Sequence, residues 1–142
     1  NEIVATGSTY MSEFGTATDW FELYNPDSVP FLMQNGKWFL SDNPDAPTQF
    51  PLRAPLTIPA HGFVVVCCDS RDTIGTQIHT NFNLSSSGEA VVLHYNDGNA
   101  ALTIDSHSFP AQTPGHSTGR LPDGGPDWSD ALAPTPAGPN HP

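Results

Sequence analysis

The sequence predicts an all-β domain built as a sandwich of antiparallel sheets, and three observations support this. The 142 residues include fifteen prolines and twelve glycines, which interrupt the chain every few residues. They leave almost no window in which apolar residues could recur with the 3.6-residue period of a helix. Short apolar runs are instead separated by turn sequences such as NPDS and YNDGN, and this spacing is typical of an antiparallel sandwich.

One strand is predicted at residues 20–24, within the stretch DWFELYN. In an extended chain, Phe21 and Leu23 lie on one face, and Trp20, Glu22 and Tyr24 lie on the other. The first face suits the space between two sheets, whereas the second is either a partly covered sheet surface or a binding platform. The predicted inter-sheet core consists of Phe21, Leu23, Trp38, Leu40, Val64, Val66 and Leu93.

Seven further segments complete the prediction of seven or eight strands. FVVVCC is apolar on both faces and predicts a central strand. YNDGN predicts a hairpin in which Asn96, Asp97 and Gly98 can supply the positive φ angles of a tight turn. The proline-rich region from Pro122 onward cannot form a central strand, so we expect a domain at residues 1–133 and a proline-rich tail or linker at 134–142. The further predicted strands are 2–5, 38–41, 56–58, 63–68, 90–95, 101–105 and 117–121.

The charge balance bears on the class of partner. Four basic residues oppose fifteen acidic ones, which gives a formal net charge of -11. A nucleic-acid backbone would be repelled by this charge, so we expect no nucleic-acid partner. No run of eighteen apolar residues is present, so we also expect no membrane span. The start at Asn1 without Met suggests a processed protein or a domain excised from a longer one.

Recognised catalytic and metal-binding patterns are missing from the sequence. No Gly-x-Ser-x-Gly elbow exposes a serine nucleophile, and the six histidines form neither HxH nor HExxH spacing. Cys67 and Cys68 point to opposite faces of one strand, so free thiols are favoured over a strained bridge between neighbours. We therefore expect no catalytic residue, no cofactor and no enzyme activity.

Several motifs occur in an order that resembles the lamin tail domain in its bacterial form. The opening NEIVATG is followed by DWFELYN, WFLSDNPD, TIPAHG and NFNLSSSGE, and then by GRLPDGG. The resemblance runs nearly from end to end and implies an immunoglobulin-like antiparallel β-sandwich of about seven to nine strands. The Cys67–Cys68 pair departs from the family pattern.

The resemblance also implies a kind of function. Bacterial lamin-tail-like domains resemble accessory modules of secreted or surface-associated proteins, and none has an established catalytic site. We therefore expect a non-catalytic interaction or accessory module of a larger, exported bacterial protein, located outside the cell or at its surface. The alternative is a carbohydrate-targeting domain attached to a hydrolase, so the expected partner is a protein or a polysaccharide.

Five residues are candidates for binding such a partner. Trp20, Glu22 and Tyr24 share one strand face, and Trp128 offers another aromatic ring that could stack on a sugar if exposed. Arg120, within GRLPDGG, could pair its planar guanidinium with Glu22, with Asp123 or with a backbone carbonyl. A structural clamp is favoured for Arg120 over ligand capture.

One pair of acidic residues is a candidate for a calcium site. Asp42 and Asp45 could supply oxygen ligands to Ca²⁺ from one loop, but their spacing matches no known calcium loop. The competing interpretation is a solvated turn, in which Asp side chains bond to their own backbone.

Overall fold

The computed structural model describes all 142 residues and is all-β, with thirteen strands and no helix. It therefore contains no helix able to cross a bilayer. The strands are β1 (Glu2–Val4), β2 (Asp19–Tyr24), β3 (Phe31–Met33), β4 (Trp38–Ser41), β5 (Phe50–Pro51), β6 (Leu56–Ile58), β7 (Phe63–Cys68), β8 (Thr73–Ile74), β9 (Ile78–His79), β10 (Gly88–Asn96), β11 (Ala101–Pro110), β12 (Ser117–Arg120) and β13 (Trp128–Leu132).

The strands form three sheets. A seven-stranded sheet has the order β13-β12-β1-β2-β7-β9-β8, and a four-stranded sheet has the order β11-β10-β4-β5. The third sheet pairs β3 with β6. All neighbours are antiparallel except β7 and β9, which are parallel. All eight predicted strands overlap an observed one, and β7 is central because β2 and β9 flank it.

Sequence reasoning missed five strands: β3, β5, β8, β9 and β13. Four of them have only two or three residues, too few to establish a period of two. The fifth, β13, lies at the edge of the seven-stranded sheet within the proline-rich region. Proline is tolerated near an edge strand because only one side of that strand is hydrogen-bonded.

The larger of two hydrophobic clusters draws residues from all three sheets and forms the inter-sheet core, and the predicted core residues belong to it. Phe21, Leu23 and Val66 come from the seven-stranded sheet, and Trp38 and Leu40 come from the four-stranded one. Val64 and Leu93 are partly buried and pack against this core, so the prediction for all seven residues is confirmed. Burial of several large apolar side chains, each contributing about 1.5–3 kcal/mol, stabilises this contact between the sheets.

The β10–β11 hairpin is confirmed, but its turn works differently from the prediction. Only Gly98 has a positive φ, of 88°. Asn96 and Asp97 contribute through their side chains instead. Asn96 Oδ1 accepts the Gly98 N–H at 2.9 Å, and Asp97 Oδ1 accepts the N–H groups of Asn99 and Ala100 at 2.9 and 2.8 Å. These short polar side chains satisfy turn donors directly.

The face of β2 that points away from the core is also covered. Trp20 is 1% exposed and packs with Val4 and Val65, with Tyr10 of the β1–β2 loop against them. Further along the same face, Glu22 accepts the Ala137 N–H at 2.7 Å. The second face of DWFELYN is therefore a covered sheet surface.

The tail at 134–142 is bound to the seven-stranded sheet. The backbone N–H and hydroxyl of Thr135 donate to the carboxylate of Glu2. The Asn140 side chain donates to the carbonyls of Asn1 and Arg120 at 3.1 and 3.0 Å. The predicted tail thus wraps the sheet through hydrogen bonds to groups on β1, β2 and β12.

Candidate functional site

A cleft of about 600 Å³ is bordered by all three sheets. This volume lies in the range of small-ligand and side-chain pockets, about 300–1,000 Å³. Its walls combine apolar side chains of the core with a few polar groups at the mouth. Six residues that define it are Phe31, Trp38, Leu93, Asp105, Arg120 and Trp128.

The apolar lining of the cleft includes two aromatic residues in contact, Phe31 and Trp38. Phe31 meets Trp38 edge to face, with centroids 5.6 Å apart and planes at 85°. Trp38 in turn packs on Tyr95, which lies outside the cleft lining, at 5.1 Å and 64°. Edge-to-face packing of this kind fixes ring orientations, so one wall of the cleft is preformed. Phe31 is 40% exposed and forms an apolar rim.

Arg120 holds the polar mouth together. One guanidinium nitrogen of Arg120 donates to both oxygens of Asp105 at 2.8 Å, and the other donates to the Gly125 carbonyl. The guanidinium also lies 4.5 Å from the centroid of the Trp128 ring. Arg120 therefore clamps β11 and the β12–β13 turn to β12. The expected backbone carbonyl partner is confirmed, but the ionic partner is Asp105 instead of Glu22 or Asp123.

A second contact beside Arg120 joins the same two sheets. The rings of His107 on β11 and Trp128 on β13 stack at 3.7 Å with planes 7° apart. Burial and the nearby Arg120 charge lower the pKa of His107. The neutral imidazole is thereby favoured at pH 7, and it can stack on an indole without the cost of desolvating a charge.

The candidate binding residues fall into two groups. Glu22, Tyr24, Arg120 and Trp128 border the cleft, whereas Trp20 is buried on the far face of β2 and cannot serve as an exposed platform. Tyr24 packs on Phe63 at 4.8 Å. The rings of Tyr24 and Trp128 are thus already in contact with protein groups, Tyr24 with Phe63 and Trp128 with His107 and Arg120.

Glu22 is a buried carboxylate behind the cleft, opposite Glu2 in the β1–β2 register. It accepts hydrogen bonds from the Asn1 side chain at 3.1 Å and from the Ala137 N–H. Burial raises the pKa of Glu22 to about 7, and burial also raises the pKa of Glu2. Glu22 thus anchors the tail, and at 2% exposed it is shielded from an incoming ligand.

A polar cluster that sequence reasoning missed surrounds His79. This fully buried histidine contacts Asp69 through Nδ1 at 2.8 Å and Glu13 through Nε2 at 3.1 Å. Hydrogen bonds from the Thr76 hydroxyl and the Gln77 N–H lower the pKa of Glu13 to about 2. Since both ring nitrogens are occupied, His79 has none left for a substrate proton or a metal. The cluster fastens the β1–β2 loop to β9.

The two cysteines next to this cluster are free and buried. Burial raises the pKa of Cys67 to about 12 and that of Cys68 well above its ordinary value. The thiolate is the nucleophilic form of cysteine, so neither residue is primed for nucleophilic attack at neutral pH.

The calcium candidates lie in the turn after β4, and no group of three or more His, Cys, Asp or Glu residues in the molecule is arranged to hold a metal ion. The turn is organised by hydrogen bonds within itself. Ser41 Oγ bonds to the carbonyls of Asn43 and Ala46, each at 2.9 Å, and Asn43 Oδ1 accepts the Asp45 N–H at 2.9 Å. Asp42 and Asp45 therefore belong to a self-bonded turn.

The cleft-facing residues of β11 could have been found by extending the predicted strand beyond residue 105 and following the alternation of its side chains between the two faces. Asp105, His107 and Phe109 are spaced two apart and share one strand face, but the predicted strand ended at residue 105. Phe109 belongs to the core, which orients Asp105 and His107 toward the other sheet.

Comparison of the chain with protein-family models, curated proteins and solved structures found no match.

Proposed function

We propose that the protein is a non-catalytic interaction module with an immunoglobulin-like β-sandwich of the lamin-tail type. The order of the sequence motifs supports the family, and the core shared by the sheets supports the sandwich. The module serves a larger, exported bacterial protein and acts outside the cell or at its surface. The family origin of the motifs is the basis for this location.

The preformed apolar cleft with a polar mouth carries the functional proposal. Interaction sites on protein surfaces are marked by exposed apolar groups rimmed by polar ones. Phe31 and Ile104, which are 40% and 46% exposed, supply the apolar rim of this cleft. Asp27, Asp105 and Arg120 supply the polar rim. The partner is a protein segment that buries an apolar side chain among these residues.

The absence of catalytic activity is supported by the state of the reactive side chains. His79 has both nitrogens engaged by carboxylates, and the thiols of Cys67 and Cys68 resist ionisation. A nucleophile requires an adjacent group that removes its proton or a lowered pKa.

Carbohydrate targeting is not favoured, because Trp20 is buried and the rings of Tyr24 and Trp128 already contact protein groups.

The test is to select binders from a library of random peptides and to map their contacts by NMR on the 142-residue protein. We expect selected peptides to shift the signals of cleft residues. Phe31→Ser should weaken their binding, whereas Val29→Ser, which removes an exposed apolar side chain outside the cleft, should not. Polysaccharides, duplex DNA and chromogenic hydrolase substrates complete the panel. Failure to select any cleft-binding peptide, or turnover of a substrate, would refute the proposal.

A further inference from the structure

The cleft opens beside an unpaired sheet edge. Strand β11 is the longest in the molecule, with ten residues, and it pairs only with β10. No N–H or C=O group of residues 101–109 takes part in a hydrogen bond outside the strand ladders. Every second residue of an edge strand points its backbone groups away from its neighbour. A row of donors and acceptors along β11 is therefore free to pair with another chain.

The other sheet edges are less suited to pairing. Strands β5 and β8 have two residues each, and β3 and β6 have three residues each. Strand β13 is interrupted by a register irregularity and by Ala131 at a φ of 62°. Short and bulged edges of this kind discourage strand addition. Strand β11 has one bulge, at Ile104, after which Asp105 to Pro110 run in continuous register with β10. Alternate residues of this six-residue segment point their backbone groups outward, and Pro110 contributes no N–H donor.

This regular segment forms part of the cleft mouth. Side chains at neighbouring positions of adjacent strands point to the same side of a sheet. Asp105 and His107 point from β11 toward Arg120 and Trp128 of the other sheet. An added strand would therefore place alternate side chains beside Asp105 and His107, next to the cleft.

The charge of this region restricts the occupant. The side chain of Asp105 is 50% exposed despite its ion pair, and the exposed Asp27 also borders the cleft. With a net charge of -11, the molecule repels a second copy of itself and attracts a basic segment. The cleft adds a preference for a large apolar side chain.

We infer that an extended, basic and apolar segment of a partner protein adds to β11 as a fifth strand of the four-stranded sheet. Its backbone pairs with the free edge at Asp105 to Pro110, one basic side chain lies beside Asp105, and an apolar side chain enters the cleft. Backbone pairing provides affinity and the alternate side chains provide specificity, as in other cases of strand addition. This inference rests on the proposed interaction function and specifies its partner.

The probe is a capped peptide of about eight residues, long enough to span the segment. It carries Lys and Phe two positions apart, so that both side chains lie on the face beside the cleft, with Thr at the positions between them. In one version of the peptide, N-methyl groups block the backbone amides that point to one side of the extended strand. In a second version, they block the amides that point to the other side. We expect one of the two to bind about tenfold more weakly, because it loses two or three hydrogen bonds to β11. The peptide with Glu in place of Lys should not bind, and added salt should weaken the Lys peptide.

Two further measurements locate the strand. Hydrogen exchange of the outward amides between Asp105 and Phe109 should slow when the Lys peptide binds. Ser108→Lys, which places a like charge on the exposed edge, should weaken binding, whereas Ser86→Lys in the turn before β10 should not; both serines are exposed. Equal binding of both N-methylated peptides, or no protection in β11, would overturn strand addition. If cleft-binding peptides were still selected from the library, the interaction function would stand without it.

Discussion

Burial of Glu22 predicts an unusual dependence of stability on pH. The pKa of this carboxyl rises from 4.5 to about 7 in the folded protein, chiefly because burial disfavours its charge. Between these two values the folded state binds more protons than the unfolded state, so stability is complete below about pH 4.5 and falls as pH rises toward 7. One proton changes the free energy of unfolding by about 1.4 kcal/mol per pH unit. The loss attributable to Glu22 is therefore about 3 kcal/mol.

The perturbation that isolates this effect is Glu22→Gln, which removes the titrating group. The two carboxylate oxygens of Glu22 accept hydrogen bonds from Asn1 and Ala137. The Gln side chain has one oxygen and can accept only one of these bonds, so the variant carries a destabilisation that does not depend on pH. Urea unfolding followed by tryptophan fluorescence, at pH values from about 4 to about 8, measures the difference between the two proteins. We expect the stability advantage of the wild type to shrink by about 3 kcal/mol over this range.

The control for charge is Asp127→Asn, which neutralises an exposed acid. It removes one negative charge without touching the buried carboxyl, so a pH-dependent difference that is present in Glu22→Gln and missing in Asp127→Asn is assigned to Glu22. A difference between wild type and Glu22→Gln that varied by less than about 0.5 kcal/mol would refute the reasoning. It would mean that the hydrogen bonds from Asn1 and Ala137 fully offset the burial of the charge.

Three other predictions concern the core, the clamp and the charge. Leu23→Ala should lower the free energy of unfolding in urea by about 2–5 kcal/mol, and a loss below about 0.5 kcal/mol would place Leu23 outside the core. Arg120→Lys keeps the charge but loses the planar contacts with Asp105 and Trp128, so it should cost roughly 1 kcal/mol; an unchanged melting temperature would argue against the clamp. Duplex DNA should not bind at physiological salt, and saturable binding that weakens as salt is added would contradict this.

The sequence was sufficient for the strands with strong patterns and for the core between the sheets. FVVVCC and DWFELYN have enough apolar residues at fixed spacing to establish both the strand and its buried face. The two-residue strands β5, β8 and β9 have no such period. Strands β5 and β9 form because the fold holds them beside the longer strands β4 and β7, and β8 forms by pairing with β9. This is a tertiary effect that propensity cannot express.

The candidate site was less predictable because its parts are far apart along the chain. Phe31, Asp105 and Trp128 meet only after three sheets have assembled. Glu22 was recognised as a candidate, but the tail that covers it carries no apolar pattern and is held by hydrogen bonds to buried carboxylates. The backbone-carbonyl partner of Arg120 was confirmed at Gly125, but its ionic partner was wrong for a similar reason. Asp105 lies on another strand, β11, and only the assembled sheets bring it to the guanidinium.

The contact between Asn140 and Asn1 also determines how this unit can be combined with other sequences. The Asn140 side chain donates to the Asn1 carbonyl at 3.1 Å, so the chain leaves the fold within a few ångströms of where it enters. A short linker could close it into a circle, and new ends could be opened at the exposed turn between β10 and β11. The same geometry would let the whole unit be inserted into a surface loop of another protein without forcing the two sides of that loop apart.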